Sequence, residues 1–299
     1  MVQFIQDNRE AYGVEPICEI LPIAPGTYFR EVQRLQNPDL LPNRAKTDAD
    51  LRCHIQRVWD ENEQVYGARK VWLQLKREGI RAARCTVERL MRQMGLRGVI
   101  RGRTVRTTVP DAQQEKPLDL VERQFTAERP DQLWVADFTY FPTWSGITYV
   151  AFVIDVYSRY IVGWRVSTSM KTDFVLDALE QAIWARRPAS GLIHHSDHGS
   201  QYLSIHYSQR LKEAKINPSV GSVGDSYDNA MAESIIGLFK TEVMWRKGPW
   251  KTRSDVEWAV LNWVEWFNNR RLLEAIGDIP PAEKEQKYYD QLTAADVAA

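Results

Sequence analysis

Three acidic residues stand where chemistry can use them. Asp137 interrupts an otherwise apolar, strand-like run, Leu133-Trp134-Val135-Ala136-Asp137-Phe138. Asp197 lies just beyond a second short apolar run that ends at His195, and Glu233 sits inside a helical segment. The separations are 197 − 137 = 60 and 233 − 197 = 36, which leaves 35 residues between the last two. Strands of a mixed sheet can present two carboxylates side by side at their ends, and a helix packed across that end can add a third. Three carboxylates at close range raise one another's pKa unless a cation neutralises them. Hard oxygen ligands select Mg²⁺ or Mn²⁺. Two such ions about 4 Å apart activate an attacking oxygen and stabilise a leaving one in an in-line phosphoryl displacement. Taken singly, each acid has an ordinary use. A strand aspartate serves as a turn or cap residue, Asp197 before His198-Gly199 suits an Asx turn, and Glu233 suits a solvated helix face. Their joint placement is what points to chemistry.

The helix around Glu233 supports that reading. At about 100° per residue, Asn229, Glu233 and Lys240 fall within about 40° of one another. Met231, Ile235 and Leu238 form the opposite, core-facing stripe. A lysine beside the acid can hold a DNA phosphate, although the same position also suits an ordinary surface lysine.

These residues need a scaffold. Strands are expected over 133–141, 147–154 and 160–166, close enough together to be antiparallel hairpins. A helix over 172–186 follows, with Val175, Leu176, Leu179 and Ile183 as its stripe. Then come a short strand over 191–195, a helix over 202–214, a brief strand over 218–221, and helices over 228–245 and 254–268. Three consecutive strands, then strands joined through helices, give an α/β arrangement with a mixed sheet.

Upstream, Thr47-Asp48-Ala49-Asp50 reads as a helix start, with Leu51, Ile55 and Val58 at helical spacing. A second helix over 68–78 stops at Gly79, and a third opens near Thr86 and ends at Gly95. Helix, short glycine-containing turn, helix is the helix-turn-helix pattern; it is equally that of a plain antiparallel helix pair. Charge favours the DNA-binding form. The 299-residue chain has a net charge of +0, but residues 66–106 hold 12 Lys/Arg against 2 Asp/Glu. Such asymmetry suggests a polyanionic partner. Arg69, Lys70, Arg84, Arg89, Arg92 and Arg97 are the candidate contacts in this segment, with Asn229 and Lys240 in the later one.

The reading divides the chain into an N-terminal segment of short helices (1–46), broken by prolines, and a basic helix-turn-helix domain (47–106). A polar linker (107–130), a catalytic core (131–272) and a C-terminal tail (273–299) follow. Three cysteines without CxxC spacing speak against disulfides and cysteine zinc sites. His194, His195 and His198 have no cysteine partner and no H-x₃-H spacing, so strand and turn roles suit them better than a metal site of their own. No apolar run reaches membrane-spanning length and no signal-peptide core opens the chain, so a cytoplasmic protein is expected.

Several motifs together resemble a known family. They are Trp134-Val135-Ala136-Asp137-Phe138-Thr139-Tyr140, Asp155-Val156-Tyr157-Ser158-Arg159, and His195-Ser196-Asp197-His198-Gly199-Ser200-Gln201-Tyr202. Asp228-Asn229-Ala230-Met231-Ala232-Glu233-Ser234 and Lys240-Thr241-Glu242 follow in order. They look like the integrase core of bacterial insertion-sequence transposases, more narrowly the OrfB products of elements with two overlapping reading frames. The gap of 35 residues matches the Asp, Asp, 35, Glu signature shared with retroviral integrases. Tyr66-Gly67-Ala68-Arg69 through Leu96-Arg97-Gly98 resembles the helix-turn-helix segment of the same proteins, and the likeness runs over residues 47–285. It implies an RNase H-like, mixed five-stranded sheet flanked by helices and preceded by a small all-α helix-turn-helix domain. It further implies two Mg²⁺ or Mn²⁺ ions on Asp137, Asp197 and Glu233. Nicking at terminal inverted repeats would be followed by 3′-hydroxyl strand transfer without a covalent protein–DNA intermediate. Expected partners are double-stranded DNA, an OrfA-type protein or frameshift fusion, and further copies of the chain on DNA. The chain departs from the family at Leu272-Leu273-Glu274, where many relatives have Arg-Pro-His. Two rival readings stay open: a catalytically inert DNA-binding regulator, and an RNase H-type nuclease.

Overall fold

A computed structural model describes residues 1–100, 121, 125–197, 199, 201–221 and 229–298 of the chain. At the N-terminus, helices α1 (Val2–Tyr12), α2 (Val14–Ile20) and α3 (Pro25–Gln36) close around their own small cluster of Ile5, Ile17, Cys18 and Tyr28. The prolines of this stretch fall at or near helix starts, where a missing N–H costs nothing, so they delimit helices rather than abolish them.

Three further helices carry the basic segment: α4 (Asn43–Glu61), α5 (Ala68–Arg77) and α6 (Arg84–Gln93). The expected start of α4 at Thr47 is corrected. The helix opens four residues earlier, and the Thr47 hydroxyl donates to the Asn43 carbonyl (2.9 Å) within it. Pro42, the N-cap just ahead of Asn43, is the actual start signal. Between α5 and α6 the chain turns at Gly79, whose φ of 79° favours glycine, and Ile80 N–H closes back on the Leu75 carbonyl (2.9 Å). Trp72 Nε1 ties that turn down through the Ala82 carbonyl (2.9 Å).

The sheet follows. Its strands are β1 (Leu133–Thr143), β2 (Gly146–Asp155), β3 (Ile161–Ser167), β4 (Ile193–Ser196) and β5 (Asn217–Val220), in the order β3-β2-β1-β4-β5. β1, β2 and β3 pair antiparallel, whereas β4 and β5 join β1 in parallel. Helix α7 (Thr172–Arg186) connects β3 to β4, and α8 (Ile205–Glu213) connects β4 to β5. This is the RNase H-like mixed five-stranded sheet that the resemblance implied, with helices on both faces and a helical region before it.

Strand alternation explains the two layers. Trp134, Ala136, Ala151 and Val153 face α7 and α8. Val135, Val150, Phe152 and Ile154 face the other way, onto α9 (Ala230–Phe239) and the later helices. The single helix expected over 228–245 is three pieces: α9, a π-helical turn Lys240–Met244, and a short α10 (Trp245–Lys247). The π turn coincides with a buried ion pair. Glu242 turns inward to Arg271, both side chains only 4% exposed, and also accepts from Trp263 Nε1 (3.0 Å) on α11 (Arg253–Asn269). The stretch read as a tail carries a further helix, α12 (Pro281–Ala298).

The helices of the basic segment share a core with the sheet. Leu51, Ile55, Val71, Leu75 and Leu90 belong to the same cluster as Phe152, Phe239 and Trp263. Tyr66 fastens the junction: its hydroxyl accepts from Leu272 N–H (2.7 Å) and donates to the Arg270 carbonyl (3.2 Å). Most of the expected linker over 107–130 lies outside the described residues. Among the described residues, no helix is long and apolar enough to cross a membrane.

Candidate active site

Parallel pairing of β1 with β4 brings the two aspartates together. Ala136 is in register with Ser196, the last residue of β4, so Asp137 and Asp197 follow one step later on adjacent chains. Asp137 is half-buried, and its Oδ1 accepts from Phe138 N–H (2.7 Å). Its carboxyl is held well above the usual carboxylate range. Burial is the first cause, the negative charge of Asp197 the second, and Glu233 adds to it; the Phe138 N–H and the Lys240 ammonium oppose it. All four charged groups of the sequence reading therefore act on one spot.

Asp197 is shaped by its own loop. Its Oδ1 accepts from Gly199 N–H (3.1 Å), the Asx geometry expected from sequence. A Cβ on Gly199 would stand 3.0 Å from that same oxygen, so a side chain there would crowd the carboxylate. The ordinary turn role and closeness to Asp137 are thus both present. Glu233 is exposed in the first turn of α9, and Lys240 is half-buried at the end of that helix, seven residues on. Asn229 is buried at the start of α9, and its Nδ2 donates to the Ala136 carbonyl (2.9 Å).

Sequence reasoning did not single out Tyr202. Its phenol is buried against Phe138 and Tyr207, and its hydroxyl has no hydrogen-bond partner among the described residues. Burial first, then Tyr207, Asp137 and Asp197, push its pKa well above the ordinary phenol value. The signal was its place in the motif after Asp197. The strand histidines are used inside the fold: His194 Nε2 meets the Tyr207 hydroxyl (3.0 Å) and His195 Nδ1 meets Ser219 Oγ (2.9 Å). Burial brings the His194 imidazole down to about 3, so it is neutral. His198 lies outside the described residues.

The donor set fits a hard divalent cation in kind. Three carboxylates share one field, and a buried carboxyl that resists ionisation gives up its proton when a cation takes its place. Among the described residues, however, no three His, Cys, Asp or Glu side chains close into a ready-made cage.

The basic candidates separate into two sets. Arg89 is bound bidentately to Asp48 (2.8 and 3.0 Å), and that hydrogen bond lowers the Asp48 pKa. Arg69 pairs with Asp278 (3.0 and 2.8 Å) and reaches Glu274. Lys70 lies over the Tyr66 ring at 5.4 Å, and burial, then Arg271, bring its ammonium down to about 8. These three help hold the helices to the C-terminal segment or to each other. Arg92 is 79% exposed beside Glu88, while Arg84 and Arg97 are exposed without an ion pair among the described residues. The exposed set remains available to a polyanion.

Comparison with known proteins agrees with this order of parts. An HTH-like domain model matches residues 46–104, and two integrase core domain models match residues 127–226 and 214–281. The chain is 61% identical to the transposase for insertion sequence element IS629 of Shigella sonnei over 299 residues, all of both chains. It is 60% identical to the transposase for insertion sequence element IS3411 of Escherichia coli over 188 residues, 63% of this chain and 78% of that one. Among solved structures, a simian T-cell lymphotropic virus intasome chain gives a TM-score of 0.47 at 15% identity, covering 59% of this chain and 60% of that one. The HTLV-2 integrase catalytic core, solved with magnesium, gives 0.43 at 14% identity, covering 54% of this chain and 99% of that one. With a relative matched from end to end at that identity, and the HTH-like and integrase core models matched one after the other along the chain, the chain belongs to the insertion-sequence transposases with an integrase-type core.

Proposed function

We propose that this transposase cuts and joins DNA at the carboxylates of Asp137, Asp197 and Glu233, using Mg²⁺ or Mn²⁺. The observation that carries the reading is that Asp137 and Asp197 each follow directly on the paired residues Ala136 and Ser196, with Glu233 and Lys240 acting on the Asp137 carboxyl. When bound, two divalent ions would activate the attacking oxygen and stabilise the leaving one. Asp137, Asp197 and Glu233 would together hold the metal. Lys240 would neutralise a phosphate arriving beside the acids. Asp137 lies on β1 and Asp197 one residue beyond β4, so two of the three proposed ligands would stand on or next to paired strands, which favours positional precision.

The DNA partner is read from the helical segment. Arg84, Arg92 and Arg97 lie on or just beyond α6, the second helix of the pair, and would contact phosphates or base edges. Arg69, Lys70 and Arg89 would support that surface through the contacts described above. An OrfA-type protein, or a fusion with it, would supply recognition of the element's ends. Joining two ends would call for more than one copy of the chain on DNA.

The test is strand transfer in vitro. A labelled duplex carrying a candidate terminal repeat is incubated with Mg²⁺ or Mn²⁺, with and without the OrfA-type protein, comparing the wild type with Glu233→Gln. Metal-dependent nicked or joined products that the variant loses are the expected result. DNA binding without products under any condition would favour an inert regulator. Preferential cutting of an RNA–DNA hybrid would favour the nuclease.

A further inference from the structure

Asn229 departs from the ordinary behaviour of its position. It is the N-cap of α9, where asparagine usually turns its side-chain oxygen onto the N–H groups of the first turn. Here no such cap bond is made. The amide instead reaches across to the sheet, and Nδ2 donates to the carbonyl of Ala136 (2.9 Å). Ala136 is the last residue of β1 with a partner on β4, and the next residue is Asp137. The side chain is buried, and its Oδ1 has no hydrogen-bond partner among the described residues. Both the local cap and full satisfaction of the amide are given up for one tertiary bond beside the acids. Local rules are broken in this way where a site demands it.

We infer that Asn229 is a positioning residue, which ties the start of α9 to β1 and thereby sets Glu233 against Asp137. Glu233 lies four residues on, about one turn up the same face of the helix. The Ala136 tie is the side-chain hydrogen bond that joins this end of α9 directly to the strand bearing Asp137. The inference rests on the reading that Glu233 and Asp137 work together.

Two substitutions separate positioning from helix capping. Asn229→Ala removes both functions. Asn229→Ser keeps a good N-cap, but its hydroxyl is one bond too short to hold the Ala136 carbonyl. Each full-length variant is compared with the wild type in three measurements. These are affinity for the terminal-repeat duplex without metal, affinity for Mn²⁺ by titration calorimetry, and yield of joined product. The expected result is unchanged duplex affinity, with Mn²⁺ affinity and product yield both lowered about 10- to 100-fold in both variants, the usual effect of losing a group that orients a metal ligand. A serine variant that matches the wild type in Mn²⁺ affinity overturns the inference and leaves Asn229 as a cap. The Mn²⁺ titration decides the matter even if the wild type joins no DNA, an outcome that would count against the proposed reaction instead.

Discussion

Arg271 and Glu242 form an ion pair in the middle of an apolar core, and cutting it in two ways should give two different signatures. Both side chains are only 4% exposed. Arg271 Nε lies 3.2 and 3.1 Å from the two carboxylate oxygens, Arg271 Nη2 donates to Oε1 as well, and Trp263 Nε1 adds a third donor at 3.0 Å. The Trp266 and Phe267 rings flank the guanidinium at 5.8 and 5.6 Å. Removing one partner strands the other charge in low dielectric, which costs about 3–5 kcal/mol, whereas replacing both by apolar groups is often nearly neutral. Glu242→Leu and Arg271→Leu should therefore each lower stability by about 3–5 kcal/mol, and the double variant by much less than their sum. Urea unfolding of the four proteins measures all of this. Single deficits below about 1 kcal/mol, or a double variant as weak as the sum, would refute the argument from stranded charge.

Other consequences follow from the same kind of accounting. Burial raises the Asp155 carboxyl to about 6, against the pull of its Ser158 and Asp131 partners. A folded pKa above the unfolded one favours the folded state in acid, so about 3 kcal/mol is lost as pH climbs from about 4 through 6. Unfolding midpoints across that range should slope less in Asp155→Asn than in the wild type, and equal slopes would dismiss the effect. Tyr66→Phe leaves the buried Leu272 N–H without its acceptor, and a loss of about 1–3 kcal/mol is expected in urea unfolding. Gly163→Ala would set a Cβ 2.1 Å from the Ala178 carbonyl, so β3 and α7 must part; thermal melting should fall by several degrees or the chain should fail to fold. Arg84→Ala and Arg97→Ala should each weaken duplex binding and lower the salt slope by about 1, measured by titrating salt. Arg89→Ala should instead lower stability, through the loss of its Asp48 pair.

The sequence by itself determined most of the succession of elements through the sheet and marked three acids as candidates. Period-two alternation in β1 and β2 separates the two faces of the sheet, and each residue's side follows from its neighbours alone. Apolar stripes marked α5, α6, α7 and α11 to within a few residues, because these helices each bury one face. The spacing of Asp137, Asp197 and Glu233 needed only their order along the chain. Pairing was a different matter. Short β4 reads as an apolar run, and nothing local says that it lies parallel to β1 with Ala136 opposite Ser196; that register depends on α7 carrying the chain back across the sheet. The fate of the arginines also escaped the sequence. Arg69 and Arg89 look like Arg84 and Arg97 in composition, but their partners Asp278 and Asp48 lie 209 and 41 residues away and meet them only in the folded chain. The same holds for Asn229. Its helix-face position was legible, whereas its bond to Ala136, 93 residues distant, exists only because α9 packs against β1. Local pattern selects elements and faces; charge pairs and register are settled by which surfaces the tertiary fold brings into contact.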